Sequence, residues 1–461
     1  MTVHTAPLLY DGLRWRAEGW VRVAGGRVAD WGTGAPPPGA GPVERHGALI
    51  PGLVDACARI TGYFNRMIEG DALAPHRACL AMCAEAGVTV VLGVGGHTEP
   101  YAALDHLARP GDPLLLWTGP VLDGPPVTTT ATRLVHDGPS ARRAVAAVAA
   151  EGARLVRTGA GLDPGPLAEV VAAARERGMP VLHQPGRTGA AEAVRAGVRL
   201  VQDLPRCLLP PAAGRPAAAA VRAFADPAVR SAAAERLRVL TGEGAAIVPL
   251  LHSWRRSALL EEAVAEPRLE RLVPVAPFHR YLLDMRGPGL VFGRRYAREH
   301  FGFEHLKGAA RREFDDGWAF LLDALATAHG GGAALVAGSD ALGLSLVPGY
   351  GLYDELAWWE RAGLDRRTVL AAATGGALDA LAGHAPPRTP WASGLVALPG
   401  DPDTLPGPGA LPAACRVLAG AGETVRDRVP GSADPENPED PEDPAGSVPP
   451  APPRSPQEAR P

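Results

Sequence analysis

His76, Cys79 and Cys83 lie within one short run, with the two thiols one helical turn apart. Imidazole and thiolate are both zinc donors, so this trio could bind a metal on a helix face. The positions around it are apolar, and the same spacing also suits small side chains packed into a core. His252 closes the apolar run AAIVPLL, where a strand would end. It could touch a substrate there or be an ordinary loop histidine. His279, His300 and His305 fall in a long irregular stretch that reads as a lid, where surface positions serve them as well as ligation would. The GxG and GG pairs lack the strand, turn, helix and acidic partner of a dinucleotide site and imply no nucleotide cofactor.

The 461 residues suffice for one large domain and a smaller one, and 46% hydrophobic content can fill a sizeable core. A net charge of −4 gives no sign of a nucleic-acid or anionic-membrane partner. The five cysteines are few and odd in number, as expected of reduced thiols in a cytoplasmic protein. The opening MTVHTAPLLYDGLRW has no basic segment followed by an apolar one, so no secretory signal is expected. No apolar run reaches the roughly 18 residues a membrane span needs.

The elements that must position these groups follow a regular order. Apolar strand-like runs (TVVLGVGG, ARLVRTGAG, MPVLHQPG, VRLVQDL, AAIVPLLHSW, AALVAGSDA) alternate with helical ones (HRACLAMCAEAGV, LAEVVAAARERG, TGAAEAVRAG, LYDELAWWERAG). That alternation predicts βα units on a parallel sheet, and seven or eight units suit a TIM-like (β/α)8 barrel over 49–390. In such a barrel the polar residues at the C-terminal strand ends face the site. Stretches 205–240 and 265–315 read as helix-rich insertions over the mouth. Residues 1–48, with the hairpin-like GWVRVAGGRVADWG, and 391–429, with GLVALPGDP and CRVLAGAGETV, predict a small β-sandwich domain built from both chain ends. Residues 430–461 are acidic and Pro-rich, a composition that cannot offset its ordering entropy, and predict a disordered tail.

Several of these segments resemble the amidohydrolase superfamily, its imidazolonepropionase- and prolidase-like members above all. VRVAGGRVADWG is similar to the family's V-x-x-G-R-I-x-x-x-G, ALIPGLVDAC to L-x-P-G-L-I-D-x-H-x-H, and EAGVTVVLGVGG to G-V-T-T-V-x-D-x-G-G. HQPGRTGAAEAVRAGVRLVQDL looks like the fifth strand, its helix and the sixth strand. VAGSDALG looks like the eighth-strand G-T-D, and DELAWWERAGLDRRTVLAAATGGALDALAG like the helices that follow. GLVALPGDPDTL resembles the returning β strand. The pieces span about residues 8–426 in the family's order.

The resemblance implies divalent metals that lower the pKa of a bound water. It places the family's first two histidines on Cys57 and Arg59, its fourth-strand lysine on Arg157, its fifth-strand histidine on His183, its sixth on Asp203 and its eighth-strand aspartate on Asp340. A guanidinium has no lone pair to give, so Arg59 and Arg157 cannot ligate. They could stand in for a metal by pairing with Asp203 or Asp340, or clamp an anionic group of a substrate. A binuclear centre is not expected. One zinc on Cys57, His183, Asp203 and Asp340, or no metal at all, are the two alternatives. Without metal, Asp340 and His183 would be the catalytic acid–base pair or a hydrogen-bonded remnant. Cys57 would be a nucleophile made reactive by the guanidiniums or a small core residue. Arg59, Arg157 and His252 would bind substrate. The implied function is hydrolysis of a non-peptide C–N bond in a small, perhaps cyclic-amide, substrate. A catalytically inactive barrel that binds a small molecule or partner protein, and a metal-independent lyase or isomerase, are the alternatives. The family also implies a homodimer, for which the sequence names no interface.

Overall fold

A computed structural model describes residues 1–39, 41–60, 73–126, 131–211, 216–276, 278–285, 305–343, 345–382, 391–405, 407 and 411–421. The chain begins with five strands: β1 Thr2–Tyr10, β2 Trp15–Ala24, β3 Arg27–Thr33, β4 Val43–Arg45 and β5 Ala48–Pro51. β2 and β3 form the hairpin expected from GWVRVAGGRVADWG. Gly25 and Gly26 turn it at φ of 58° and 75°, a region where any Cβ would be strained. β1 runs antiparallel to β2 and parallel to β4 and β5.

Ten strands follow, paired in parallel: β6 Leu53–Ala58, β7 Val88–Gly93, β8 Leu114–Trp117, β9 Val121–Asp123, β10 Thr132–Leu134, β11 Val156–Thr158, β12 Val181–His183, β13 Leu200–Gln202, β14 Ala246–Val248 and β15 Ala334–Leu335. They make two sheets, β6-β7-β8 and β10-β9-β11-β12-β13-β14-β15. Every residue of β6 and β7 is buried, as expected of parallel strands covered on both faces. Backbone bonds join the sheets at both sides. Ala56 N–H donates to the Ala337 carbonyl at 2.9 Å and Asp340 N–H to that of Cys57 at 2.6 Å. On the other side Arg154 N–H donates to the Trp117 carbonyl at 2.9 Å. Each of the six apolar runs read as strands contains one, and each of the four helical runs contains a helix. The helix Gly138–Ala150 opens on a capping box: the Asp137 carboxylate accepts Ser140 N–H at 2.8 Å, and the Ser140 hydroxyl accepts Asp137 N–H at 2.9 Å.

The described parts of the two long insertions are helical, at Leu204–Leu208, Ala217–Ala223, Pro227–Gly242, Leu269–Leu272, Phe278–Asp284 and the start of Gly308–Gly330. His300 and the tail 430–461 lie outside the described residues. The chain then returns through β16 Leu395–Leu398 and β17 Arg416–Ala419. β16 pairs antiparallel with both β5 and β17, so strands from the two chain ends form one seven-stranded sheet. Leu9, Val21, Leu49, Trp391 and Leu395 pack as its core. No helix among the described residues is long and apolar enough to cross a membrane.

Gly47 fixes the seam between the two chain ends. Its N–H donates to the Leu398 carbonyl at 3.0 Å, and a Cβ there would collide with the backbone of Pro399 and Gly400. Gly47→Ala is expected to lower the unfolding free energy by about 1–3 kcal/mol in urea denaturation, the usual cost of overpacking against backbone. An unchanged midpoint would mean that the seam opens freely.

Candidate active site

Two carboxylates stand just beyond the parallel strand ends, both on backbone in the left-handed region: Asp203 after β13, with φ 67°, and Asp340 after β15, with φ 54°. Aspartate tolerates that region better than most residues, and such conformations persist where surrounding contacts enforce them. For Asp340 the enforcing group is Asp55 on β6. Its buried carboxylate accepts Ser339 N–H at 2.9 Å, the Ser339 hydroxyl at 2.5 Å and Cys57 N–H at 3.2 Å. Burial pushes the Asp55 pKa up to about 6. Its contacts bind the end of β6 to the segment carrying Asp340.

Arg59 leaves β6 beside Asp340 and its N–H donates to the Ala341 carbonyl. Its Nε donates to Asp340 Oδ1 at 2.6 Å, while the Ser253 hydroxyl donates to Oδ2 at 2.7 Å. The Asp203 carboxylate accepts from Trp254 Nε1 at 2.9 Å, Gln184 Nε2 at 2.8 Å and Gln202 Nε2 at 3.3 Å, with Arg206 Nε at 3.6 Å. One short helix, Leu251–Ala258, therefore supplies a donor to each carboxylate.

A fourth buried carboxylate anchors that helix. Glu355, fully buried on the helix Tyr350–Arg361, accepts Leu251 N–H at 3.0 Å, His252 N–H at 2.7 Å and Trp359 Nε1–H at 2.9 Å. It thus satisfies backbone donors that a helix start leaves unpaired, directly after Leu250, whose φ of 55° is unusual for a bulky residue. Burial pushes the Glu355 pKa up to about 7.

The remaining residues expected at the site are placed differently. Thr158 Oγ1 lies 2.8 Å from His183 Nδ1 and the Thr188 carbonyl 3.2 Å from Nε2. A carbonyl only accepts, so Nε2 carries the proton and Nδ1 accepts from Thr158. Both ring nitrogens are thereby used within the protein, and burial lowers the pKa to about 4. In this arrangement the ring partners of His183 are Thr158 and Thr188 rather than Asp340, and neither nitrogen offers a free lone pair to a metal. Burial, with Asp340 adding to it, pushes the Cys57 thiol well above its ordinary pKa, and the opposing pull of Arg157 and Arg59 is smaller. Burial thereby favours the neutral thiol, as suits the small core residue of the two expected roles. Arg157 is buried with Nη1 3.4 Å from the Val94 carbonyl, and its Nε has no hydrogen-bond partner among the described residues.

The His252 ring turns to a different space. It is buried with Trp358 Nε1 3.4 Å from Nδ1, Arg256 Nε 3.4 Å from Nε2 and Asp354 Oδ2 at 3.5 Å. It borders an open cleft of 330 Å³ with Arg256, Glu262, Asp354, Trp358 and Arg361. The neighbours Ser253 and Trp254 reach the carboxylates instead. His76, Cys79 and Cys83 are buried on the helix Ala74–Glu85, and burial pushes the Cys79 thiol up to about 12, as suits core packing. His279 is buried with Nδ1 at 3.0 Å from the Ala276 carbonyl, and His305 is exposed.

The strand-end donors do not fit the metal that the resemblance implies. Among the described residues no three of Cys57, His183, Asp203 and Asp340 bring ligand atoms together. Arg59 fills one expected ligand position with a fixed positive charge paired to Asp340. In this arrangement hydrogen bonds occupy the histidine, other donors hold the carboxylates, and the ligand atoms of the expected four-ligand zinc set do not converge.

Sequence reasoning missed Ser253, Trp254 and Gln184, although each stands within two residues of one that it singled out, His252 or His183. Glu355 had a clearer signal: it shares the apolar helix face of Leu352, Leu356 and Trp359, where a carboxylate needs buried donors.

No family model matches the chain, and no curated protein matches its sequence. Its solved structural neighbours are amidohydrolase-superfamily proteins. A bottromycin amidohydrolase is 21% identical with a TM-score of 0.62, over 93% of this chain and 88% of that one. A Xaa-Pro dipeptidase with methionine bound in its active site is 14% identical with a TM-score of 0.59, over 90% and 97%. The A. niger ochratoxinase is 18% identical with a TM-score of 0.57, over 91% and 96%. The fold, over nearly the whole chain, is the one these amidohydrolases share.

Glu355 gives a pH test. A carboxyl group whose folded pKa, about 7, exceeds the ordinary 4.5 contributes stability that is complete below 4.5 and lost as pH rises through 7. Urea unfolding between pH 4.5 and 7.5 is expected to show a smaller loss of stability with pH in Glu355→Gln than in the native chain. Equal slopes would rule out a proton on Glu355.

Proposed function

We propose that this chain hydrolyses the C–N bond of a small non-peptide amide, open or cyclic, and does so without a metal centre at the strand ends. The single observation carrying the reading is the Arg59–Asp340 pair, which puts a fixed cation and a carboxylate where the resemblance puts an ion and its ligand. On this reading β6, β7, β8, β11, β12, β13, β14 and β15 close into one barrel, with the substrate bound at its C-terminal mouth. Asp340 takes a proton from water as hydroxide adds to the carbonyl carbon. Arg59 stabilises the oxyanion that develops, and the buried charge of Arg157 supports an anionic substrate group. Ser253 holds the Asp340 carboxylate in orientation. The proton then passes to the departing nitrogen, giving a carboxylic acid and an amine.

A second reading, a barrel that binds such a molecule without turning it over, is favoured by the full occupation of His183 and by the four donors around Asp203. The two separate on one experiment. Purified chain treated with chelator is offered a panel of N-acyl amino acids and cyclic amides, and both ligand consumption and binding stoichiometry are measured. Hydrolysis that survives chelation and falls by about 10²–10⁴-fold in Asp340→Asn, the usual loss with a general base, is the expected result. One ligand per chain recovered unchanged supports the binding reading. Turnover that needs added metal, or that Asp340→Asn leaves intact, overturns the proposed mechanism.

A further inference from the structure

We propose that His4, Glu44 and His46 form a divalent transition-metal site on the seven-stranded sheet, with zinc the best-suited ion, separate from the strand-end carboxylates. Strand pairing builds the cluster. His4 on β1 and Glu44 on β4 are direct partners in the parallel register. His46 lies two residues beyond Glu44, so the period-two alternation of a strand sends both side chains to one face. Its N–H donates to the Thr5 carbonyl at 2.8 Å, which continues the ladder past β4. Backbone hydrogen bonds therefore hold all three residues in place before any ion arrives.

The donor atoms form a compact triangle. His4 Nδ1 lies 3.0 Å from His46 Nε2, and Glu44 Oε2 lies 3.7 Å from the first and 3.9 Å from the second. The point equidistant from the three is about 2.1 Å from each, the length of a zinc–nitrogen or zinc–carboxylate bond. A hydrogen bond between the imidazoles would account for the shortest edge alone. It leaves the carboxylate oxygen beyond hydrogen-bond distance of both rings yet within 4 Å of each. This is the group of three His, Cys, Asp or Glu residues among the described residues that brings its ligand atoms together in this way.

The chemistry of the set narrows the ion. Two imidazoles and one carboxylate suit zinc and its transition-metal neighbours, whereas calcium and magnesium favour oxygen donors throughout. The His4 and His46 side chains are 6% and 10% exposed and Glu44 is 44% exposed, so the site is walled on the imidazole side and open on the carboxylate side. A fourth position is left for water. Arg416 Nη1 on β17 lies 3.7 Å from Glu44 Oε2, but its side chain is 69% exposed and can withdraw as the ion binds. Bound metal would clasp β1 to the segment entering β5, and so would tighten the sheet without entering the barrel.

The test uses the full chain, stripped with chelator, desalted and titrated calorimetrically with zinc chloride, with thermal unfolding followed in parallel. One zinc per chain and a higher unfolding temperature are expected for the native sequence and equally for Asp340→Asn. His46→Gln is expected to weaken zinc binding at least tenfold and to abolish the thermal shift. Glu44→Gln, at an exposed position with little bearing on folding, is expected to weaken binding less. The stripped His46→Gln chain should unfold at the temperature of the stripped native chain. Absence of zinc binding overturns the site, as does binding that Asp340→Asn removes while His46→Gln and Glu44→Gln leave it intact. Because the hydrolysis assay is run with chelator, failure of this site and failure of the proposed hydrolysis are read separately.

Discussion

The Asp55 carboxylate is the contact on which the strand-end geometry depends. It is wholly buried, takes three donors from two distant parts of the chain, and through them sets Cys57 and Ser339 at fixed separation. Arg59 and Asp340 lie within two residues of those anchors, and their ion pair inherits its position from them. A buried polar group left without its partners costs far more than a satisfied one gains, so this arrangement tolerates little change on either side.

The same logic extends outward through Glu355. Its carboxylate holds the start of the helix Leu251–Ala258, and that helix gives Ser253 to Asp340 and Trp254 to Asp203. Four buried carboxyl groups and one eight-residue helix thus form a continuous hydrogen-bonded frame. Within it the fixed charge of Arg59 faces Asp340, while Asp203 is met mainly by neutral donors. The guanidinium of Arg59 is always charged, whereas a metal would bring exchangeable water and acidify it. On the proposed reading, carboxylate and guanidinium supply the chemistry here.

The scaffold was legible because parallel strands covered on both faces are written as apolar runs, and VTVVLG remains recognisable as one. The helices between them kept their 3.6-residue pattern. That Arg59 would pair with Asp203 or Asp340 could be anticipated from charge once the resemblance had placed all three at strand ends. The fates of His183 and Cys57 could not, because they depend on Thr158, on the Thr188 carbonyl and on the degree of burial, none of which residue type reveals. His252 illustrates the limit most plainly. It stands where a strand end predicts, yet its ring serves the neighbouring cleft, since consecutive helical residues point about 100° apart and only Ser253 and Trp254 face the carboxylates. The His4–Glu44–His46 cluster escaped notice because its members join through a register between strands some forty residues apart.

The seven-stranded sheet imposes an order on biosynthesis. β5 emerges early, but its partner β16 lies about 345 residues later. At about 5–20 residues per second, the edge of β5 waits roughly 17–70 s for the strand that completes it. Over that interval a wholly buried segment of the finished protein, Ala48–Pro51, presents unpaired amides and apolar side chains. An open edge of this sort is a template for pairing with other chains, so the nascent protein is most exposed to misassembly while its parallel sheets are being made.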